Sequence, residues 1–406
     1  MKSESLLKAS ILSHGINFSH RALNLAKAHN AKGQNGCYNL PGVKDTFSRP
    51  QELFLTNRTD GYVTVVSCVA SHEYRSPYVL DADDENFFIL FEGKRGFDDV
   101  RIDVVREPKY YKHMLSNGLL AKEYVSACGY DELNILPWTG CSISHHCAFC
   151  GIEKGSTLRR GYKKISSHEI SMNKELWENI EVDYLRYLKE ALTVAKDDEI
   201  YTEHLHPIII SGNLSDVLLD YEATIYSKIA KGTYDVIVDK MTEGIIAVME
   251  PPPSDEMLHR MFESHISTVV FNLEIGSEPW ATKYCPGKNI MKKDYIMDRL
   301  EAALPVFGSQ HVWTNFVFGL EPTGNLILRC AELARAGIVA SANVFHIDLG
   351  SRLNKFKPPT VSQIIYFFNK LSEIYYKNDM KPFYCEKALR TSLSNEAYAG
   401  RLTDAN

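Results

Sequence analysis

Short apolar runs alternate with amphipathic stretches through the middle of this 406-residue chain. Six runs rich in aliphatic and β-branched residues predict strands at 133–137, 206–212, 244–250, 268–276, 312–319 and 339–347. Helical spacing predicts a helix after each of the first five, at 176–195, 217–231, 255–264, 293–307 and 325–336. Ser254 is placed to cap the third of these helices. Such alternation is typical of a parallel sheet, so we predict an α/β fold with a partial (β/α)6 barrel over residues 131–357.

The flanking segments have different patterns. Residues 5–28 show helical spacing, and apolar runs at 53–55, 62–70, 87–91 and 100–105 predict strands of a small sheet. Residues 1–130 are therefore expected to form an N-terminal α+β domain. After Pro358 and Pro359, an aromatic-rich helix at 362–377 predicts a C-terminal helical extension over residues 358–406. We expect both segments to cap the barrel and complete a substrate pocket.

Composition narrows the function classes. Hydrophobic residues make up 45% and charged residues 24%, as in ordinary globular proteins. The net charge of −6 argues against a nucleic-acid partner, and no apolar run approaches the ~18 residues of a membrane span. Charged residues interrupt the first 20 positions, which argues against a secretory signal. The odd number of nine cysteines argues against a disulfide framework, so we expect a cytoplasmic protein without a membrane partner.

Three cysteines cluster directly after the first predicted strand. Cys141, Cys147 and Cys150 have the spacing C-x5-C-x2-C. In parallel α/β sheets, ligands bind in the loops at the carboxyl ends of strands. Three thiolates can hold a [4Fe–4S] cluster with one iron open to a ligand. Alternatively, His145 or His146 completes a Cys3His zinc site, and the loop by itself leaves both possibilities open.

With this loop and the predicted barrel, residues 133–347 resemble the radical S-adenosylmethionine (SAM) superfamily. Its usual loop is C-x3-C-x2-C with an aromatic residue before the last cysteine, and Phe149 occupies that position. The first spacing is two residues longer here, which leaves the branch of the superfamily open. The resemblance implies a TIM-type partial barrel, a [4Fe–4S] cluster on Cys141, Cys147 and Cys150, and SAM as the second cofactor.

The resemblance also implies the reaction class. The cluster of such an enzyme cleaves SAM reductively, and the resulting 5′-deoxyadenosyl radical takes hydrogen from a substrate. A flavodoxin- or ferredoxin-type protein is the expected electron donor. The chain has neither a cysteine-rich C-terminal extension nor a recognisable cobalamin-binding region, which favours a small-molecule substrate in cofactor or natural-product biosynthesis. The competing hypotheses are radical modification of a peptide or an RNA, and a zinc-stabilised binding protein without enzymatic activity.

Candidate SAM-binding residues follow the later strands. The turn Ser211, Gly212 and Asn213 resembles the one that holds the SAM amino group, although an ordinary turn with Ser215 as a helix cap fits it equally well. Asn272 and Glu274 alternate along the fourth predicted strand, so both should face one side and line the site. Asn315 and Gly319 on the fifth strand and Asn343 on the sixth are candidate contacts to adenine; Gly319 could instead serve only as a turn glycine.

The remaining candidates are single residues. Lys288 could bind a carboxylate of SAM or of the substrate, and Arg352 could clamp an acidic substrate group, with Arg390 as a weaker candidate. Cys285 and Cys385 are candidate donors of a hydrogen atom or a proton, or further cluster ligands, and His346 could contact substrate. For these last three, buried packing is the competing interpretation. The sequence leaves open the substrate, the fate of its radical, which C–S bond of SAM is cleaved and the oligomeric state.

Overall fold

The computed structural model describes residues 1–33, 49–70, 75–143, 146–152, 165–201, 204–289, 293–348, 350–383 and 385–403. His145, one of the two candidate fourth zinc ligands, lies outside these ranges.

The first sheet belongs entirely to the N-terminal part of the chain. Its strands are β1 (Asn17–Phe18), β2 (Glu52–Asn57), β3 (Val63–Ser67), β4 (Tyr78–Ala82), β5 (Phe87–Phe91), β6 (Lys94–Gly96) and β7 (Val100–Val104). They lie in the order β1-β4-β5-β7-β2-β3, with β6 beside β5. All pairs are antiparallel except β1 with β4. The four predicted strands are present, whereas β1, β4 and β6 were not predicted.

Two helices replace the continuous helical stretch predicted for residues 5–28. They are α1 (Ser3–His14) and α2 (His20–Ala28). The chain breaks between them because Gly15 takes a φ of 71°, which favours glycine, and because the Ser19 side chain accepts a hydrogen bond from the Ala22 amide to begin α2. Helix α1 packs on β2 and β3.

The second sheet carries the six predicted parallel strands in chain order. An antiparallel strand, β8 (Val125–Cys128), lies at its edge, and the parallel strands are β9 (Glu132–Ile135), β10 (His206–Ile210), β11 (Ile245–Val248), β12 (Ile266–Val270), β13 (Val312–Phe318) and β14 (Val339–Val344). The predicted α/β partial barrel is confirmed. Strand β12 ends six residues before the predicted end at position 276, because Glu274 takes a φ of 65° and rejoins the sheet only through a single bridge to Phe316.

Helices connect the parallel strands. They are α3 (Ser167–Met172), α4 (Glu175–Glu178), α5 (Glu181–Ala195), α6 (Leu219–Ile237), α7 (Asp255–Glu263), α8 (Trp280–Tyr284), α9 (Pro286–Asn289), α10 (Lys293–Phe307) and α11 (Thr323–Arg335). Short 3-10 turns occur at Lys109–Lys112, Ala121–Glu123 and Asp216–Leu218. The Ser254 side chain accepts from the Met257 amide, so its predicted cap of α7 is confirmed. Ser215 makes no side-chain cap bond at its own turn.

The C-terminal segment packs against the first helix of the chain and the last helix of the barrel. It contains α12 (Val361–Lys377) and α13 (Ser394–Tyr398), and α12 packs on α11 and on α1. A capping box of Thr360 and Gln363 begins α12. Strand β8 joins the second sheet although it lies within residues 1–130, and the division into three domains stays a prediction. Among the described residues no helix is long and apolar enough to cross a membrane.

Candidate functional site

A cavity of about 880 Å³ lies against the second sheet, at β8 and at the carboxyl ends of β9 to β12. This volume falls within the ~300–1,000 Å³ typical of small-molecule sites. Ten of the predicted site residues line it: Cys141, Cys147, Phe149, Cys150, Ser211, Gly212, Asn213, Asn272, Glu274 and Lys288. The N-terminal segment contributes Lys32 and Gln51, and the C-terminal segment contributes Arg390. Both flanking segments therefore form part of its wall.

The cysteine loop is held closely against the turn that follows β10. The Ser142 amide donates to the Asn213 carbonyl at 2.8 Å, and the Trp138 indole donates to the Gly212 carbonyl at 2.5 Å. A Cβ at Gly212 would lie 2.1 Å from the Gly140 carbonyl oxygen and 2.6 Å from the Cβ of Cys141. Glycine at this position is therefore what allows the two loops to meet.

The other side of the cysteine loop is held by segments that follow β12 and β14. The Ala148 amide donates to the Tyr284 carbonyl at 2.7 Å, and the Ala148 carbonyl accepts from the Arg352 amide at 2.9 Å. The Arg352 guanidinium donates to the His146 carbonyl at 2.6 Å. The Gly151 amide donates to Asp348 at 2.8 Å. The three thiols are thus placed by contacts from three different parts of the barrel.

The thiols lie in a mostly buried setting. Burial raises the pKa of Cys141 to about 11 and raises the pKa of Cys150 above its ordinary value. Cys285, with no solvent exposure, lies beside Cys147 and shares a side-chain hydrogen bond with it. Cysteine thiolates are the usual protein ligands of iron–sulfur clusters, and all three of these thiols line the cavity. Among the residues that the structure describes, no group of three or more Cys, His, Asp or Glu side chains is arranged to hold a metal ion.

Beside the cysteines, the ammonium group of Lys288 pairs with carboxylates that follow strands β11 and β12. The Lys288 Nζ lies 2.9 Å from Glu274 and 3.7 Å from Glu250, and it donates to the Asn272 carbonyl at 3.1 Å. Burial alone would lower the pKa of Lys288, but the carboxylates of Glu274 and Glu250 outweigh it and hold that pKa above its ordinary value. The Asn213 side chain also exchanges hydrogen bonds with Glu250. The result is a polar wall built from the loops after β10, β11 and β12.

Two solved structures match part of this chain. HydG, a maturase of the [FeFe]-hydrogenase, matches with a TM-score of 0.38 and 14% identity, over 67% of this chain and 53% of HydG. Methylornithine synthase (PylB) matches with a TM-score of 0.39 and 10% identity, over 64% of each chain. The chain spans less than two thirds of either protein, and at this level of similarity neither match assigns it an activity. No family model and no curated protein matches the chain.

The three predicted adenine contacts are not among the residues that line the cavity. The Asn315 amide donates to the Asn272 side chain at 3.2 Å, and the Asn343 side chain accepts from Thr391 at 2.9 Å. Gly319 has a φ of 110°, and a Cβ there would lie 2.8 Å from Pro359. A turn and a close approach to Pro359 account for this glycine, and the adenine contacts stay predictions.

The predicted catalytic residues and Arg352 are also not among the residues that line the cavity. Cys285 and Cys385 are fully buried. Burial lowers the pKa of His346 to about 4, and its ring bonds with the Val344 carbonyl at 3.1 Å. Arg352 uses its guanidinium to hold the cysteine loop, as described above. Packing and loop support therefore account for the positions of these residues, and their direct roles in chemistry stay predictions.

Several residues of the site were missed by the sequence interpretation. Glu250, which pairs with Lys288, lies two residues after β11, so a carboxylate at the carboxyl end of a parallel strand was the available signal. Glu132 and Asn134 alternate with apolar residues along β9, which is the same pattern that pointed to Asn272 and Glu274. Lys32 could not be found in this way, because only the fold brings it to the second sheet.

Proposed function

We propose that this chain is a radical SAM enzyme that holds a [4Fe–4S] cluster on Cys141, Cys147 and Cys150. One observation carries the proposal. The three thiols of one loop, after the first strand of a six-stranded parallel barrel, share a cavity with the polar loops that follow the next three strands. A structural clip needs no cavity beside it, whereas a cluster with an open iron needs room for a ligand.

The neighbouring residues fit SAM as that ligand. The turn of Ser211, Gly212 and Asn213 offers backbone and amide groups to the SAM amino group. Lys288 offers a cation to its carboxylate, and Asn272 and Glu274 offer hydrogen bonds to its ribose. Glu274 and Glu250 hold the Lys288 ammonium in place beside the cavity. Phe149 packs beside Cys147 and the apolar cluster around Cys285, which limits water at the thiols.

When bound, the cluster and SAM would supply the radical chemistry: reductive cleavage of SAM to a 5′-deoxyadenosyl radical that takes hydrogen from the substrate. The chain itself binds, orients and excludes water. A small molecule fits the volume that the cavity offers. We place the enzyme in the cytoplasm, with a flavodoxin- or ferredoxin-type electron donor, because an odd number of nine cysteines suits a reducing compartment.

The test is anaerobic reconstitution of the full chain with iron and sulfide, followed by dithionite, SAM and chromatography of the products. We expect a brown protein that releases 5′-deoxyadenosine. Cys147→Ala should lose the cluster iron and the product, whereas Cys330→Ala, which removes a buried thiol of helix α11, should keep both. Release of methylthioadenosine instead would mean that the enzyme cleaves a different C–S bond of SAM. A colourless protein with one tightly bound zinc would overturn the proposal.

A further inference from the structure

The cavity extends well beyond the cysteine loop, along the inner face of β8 and β9. We call this part the Glu132 end, and its polar side chains are those of Ser126, Cys128, Glu132 and Asn134. Cys128 pairs with Glu132, and Ser126 with Asn134, across the antiparallel ladder, so all four share one face. At about 3.3 Å per residue, Glu132–Ile135 alone spans roughly 10 Å. The Glu132 end therefore offers room for a substrate beyond the cofactor groups.

Glu132 is a carboxyl group on the inner face of this end, and the cavity lining also includes Glu107, Lys122 and Glu123. Lys32 and Arg390 are the cations that act on Glu132, and both pair with the buried Glu52, Lys32 at 2.7 Å. Lys32 also donates to the Ala127 carbonyl at 2.9 Å. Glu132 instead hydrogen-bonds with the Asn134 amide. A carboxyl group on the inner face of a barrel costs free energy unless it has a strong partner, and a neutral amide is a weak one.

The protonation state of Glu132 in the protein without a ligand is consistent with binding of a basic ligand. Burial raises the pKa of Glu132 to about 7, although Arg390 and Lys32 lower it and Glu52 raises it. Burial also raises the pKa of the adjacent Asp131 to about 7. When Glu132 holds its proton, Lys32, Arg390 and Glu52 leave one excess positive charge. A neutral amine that takes the proton from Glu132 forms an ion pair and leaves this net charge unchanged.

We propose that Glu132 is the substrate-recognition residue of this cavity and that it binds a basic nitrogen, the amine or amidine of a small molecule. The inference names the substrate class of the proposed enzyme and rests on that function. Leu136, Ile210, Val248 and Met249 line the same cavity and suit an apolar chain attached to the nitrogen.

Four five-carbon probes test the charge preference: pentylamine, pentan-1-ol, pentanamide and pentanoate. Their binding to the full chain without its cluster is followed by saturation-transfer NMR. We expect pentylamine to bind tightest to the wild-type chain. Glu132→Gln should weaken the Kd of pentylamine by at least about tenfold, because a hydrogen bond to a charged group is lost. Glu107→Gln is the matched control, since Glu107 also lines the cavity but pairs with Lys112 at 3.8 Å, and it should leave the Kd unchanged.

Any of three results would overturn the inference: pentanoate or pentanamide binding as tightly as pentylamine, an unchanged Kd in Glu132→Gln, or no probe binding. The comparison of probes on the wild-type chain stands even if a variant fails to fold. The proposed radical function and the proposed substrate class are tested separately, because Cys147→Ala removes a proposed cluster ligand and should leave the binding of pentylamine unchanged. If the protein binds pentylamine but never an iron–sulfur cluster, the radical function fails alone. If it makes 5′-deoxyadenosine but ignores the amine, only the substrate class fails.

Discussion

At the scale of single residues, the site depends on a position where a side chain is absent. Gly212 lies against Gly140 and Cys141, closer than any Cβ could approach. The Trp138 indole and the Ser142 amide bind the carbonyls of Gly212 and Asn213. The cysteine loop and the proposed SAM turn are therefore one packed unit, and a change in one must displace the other.

We expect Gly212→Ala to separate these loops. Its Cβ would contact backbone atoms that cannot yield, so the free energy of unfolding should fall by about 1–3 kcal/mol, as for other overpacked sites. The same displacement should lower the iron bound per chain after reconstitution. Gly324→Ala is the control, because nothing lies within 4 Å of a Cβ there. It should keep full iron content, and equal iron in Gly212→Ala would contradict the close-packing explanation.

At the scale of elements, strand β9 differs from a strand buried on both faces. Its apolar residues, Leu133 and Ile135, are fully buried, while Glu132 and Asn134 alternate with them and line the cavity. Parallel barrel strands normally present apolar side chains to the interior. The polar inner face of β9 therefore supports the proposal that this strand serves binding as well as packing.

The pH dependence of stability should report on Glu132. Burial raises its pKa from 4.5 to about 7, so the folded state keeps a proton that the unfolded state releases at lower pH. Stability from this group is therefore full below pH 4.5 and is lost as the pH rises to about 7. Glu132→Gln removes the titrating group, so relative to the wild type it should gain up to roughly 3 kcal/mol across this window.

Urea unfolding of both chains between pH 4 and pH 8 measures this difference. Glu107→Gln, measured in parallel, controls for the loss of one carboxylate from the cavity wall. A difference between Glu132→Gln and wild type that stays constant over the whole range would mean that the pKa of Glu132 is the same in the folded and the unfolded chain, which would contradict its rise on burial.

At the scale of the whole molecule, buried ion pairs join the N-terminal part to the C-terminal segment. The Lys8 Nζ in α1 lies 2.7 Å from Glu396 in α13, and their side chains are 1% and 2% exposed. Lys8 also donates to the Leu389 carbonyl at 2.8 Å, and Thr64 donates to Glu396. Near the cavity, Glu52 of β2 binds Arg390, and Lys32 and Arg390 together hold the pKa of Glu52 at about 2 against the effect of burial. The contact between the chain ends and the cavity wall thus share one segment, because Leu389 accepts from Lys8 and the adjacent Arg390 binds Glu52.

Glu396→Gln should destabilise the protein strongly. It leaves the Lys8 charge buried without its partner, and breaking such pairs costs about 3–5 kcal/mol of unfolding free energy. Urea unfolding measures the loss. The double variant Lys8→Met with Glu396→Leu should recover much of it, because both charges are removed together. Glu373→Gln, which opens the exposed pair with Lys370, should have no measurable effect, and an equally small effect of Glu396→Gln would contradict the importance of this contact.

Local pattern determined much of this protein. Apolar periodicity predicted all six parallel strands in order, and helix α10 at its observed bounds, because burial on a parallel sheet requires continuous apolar runs. The cysteine spacing located the loop at the carboxyl end of the first of these strands. Ten predicted site residues line one cavity, because side chains at the carboxyl ends of neighbouring parallel strands meet at one edge.

Tertiary structure alone decided the rest. Arg352 and Arg390 were both predicted from the sequence to bind an acidic group of the substrate. Arg390 lines the cavity and Arg352 does not, because the Arg352 guanidinium donates to the His146 carbonyl of the cysteine loop. Lys32 and Glu52 lie about 100 and 80 residues before the first parallel strand, and only the packing of the first sheet brings them to Cys128. Periodicity reports which face of an element is buried. It carries no information about which distant element covers that face, and at this cavity the covering elements set the charge.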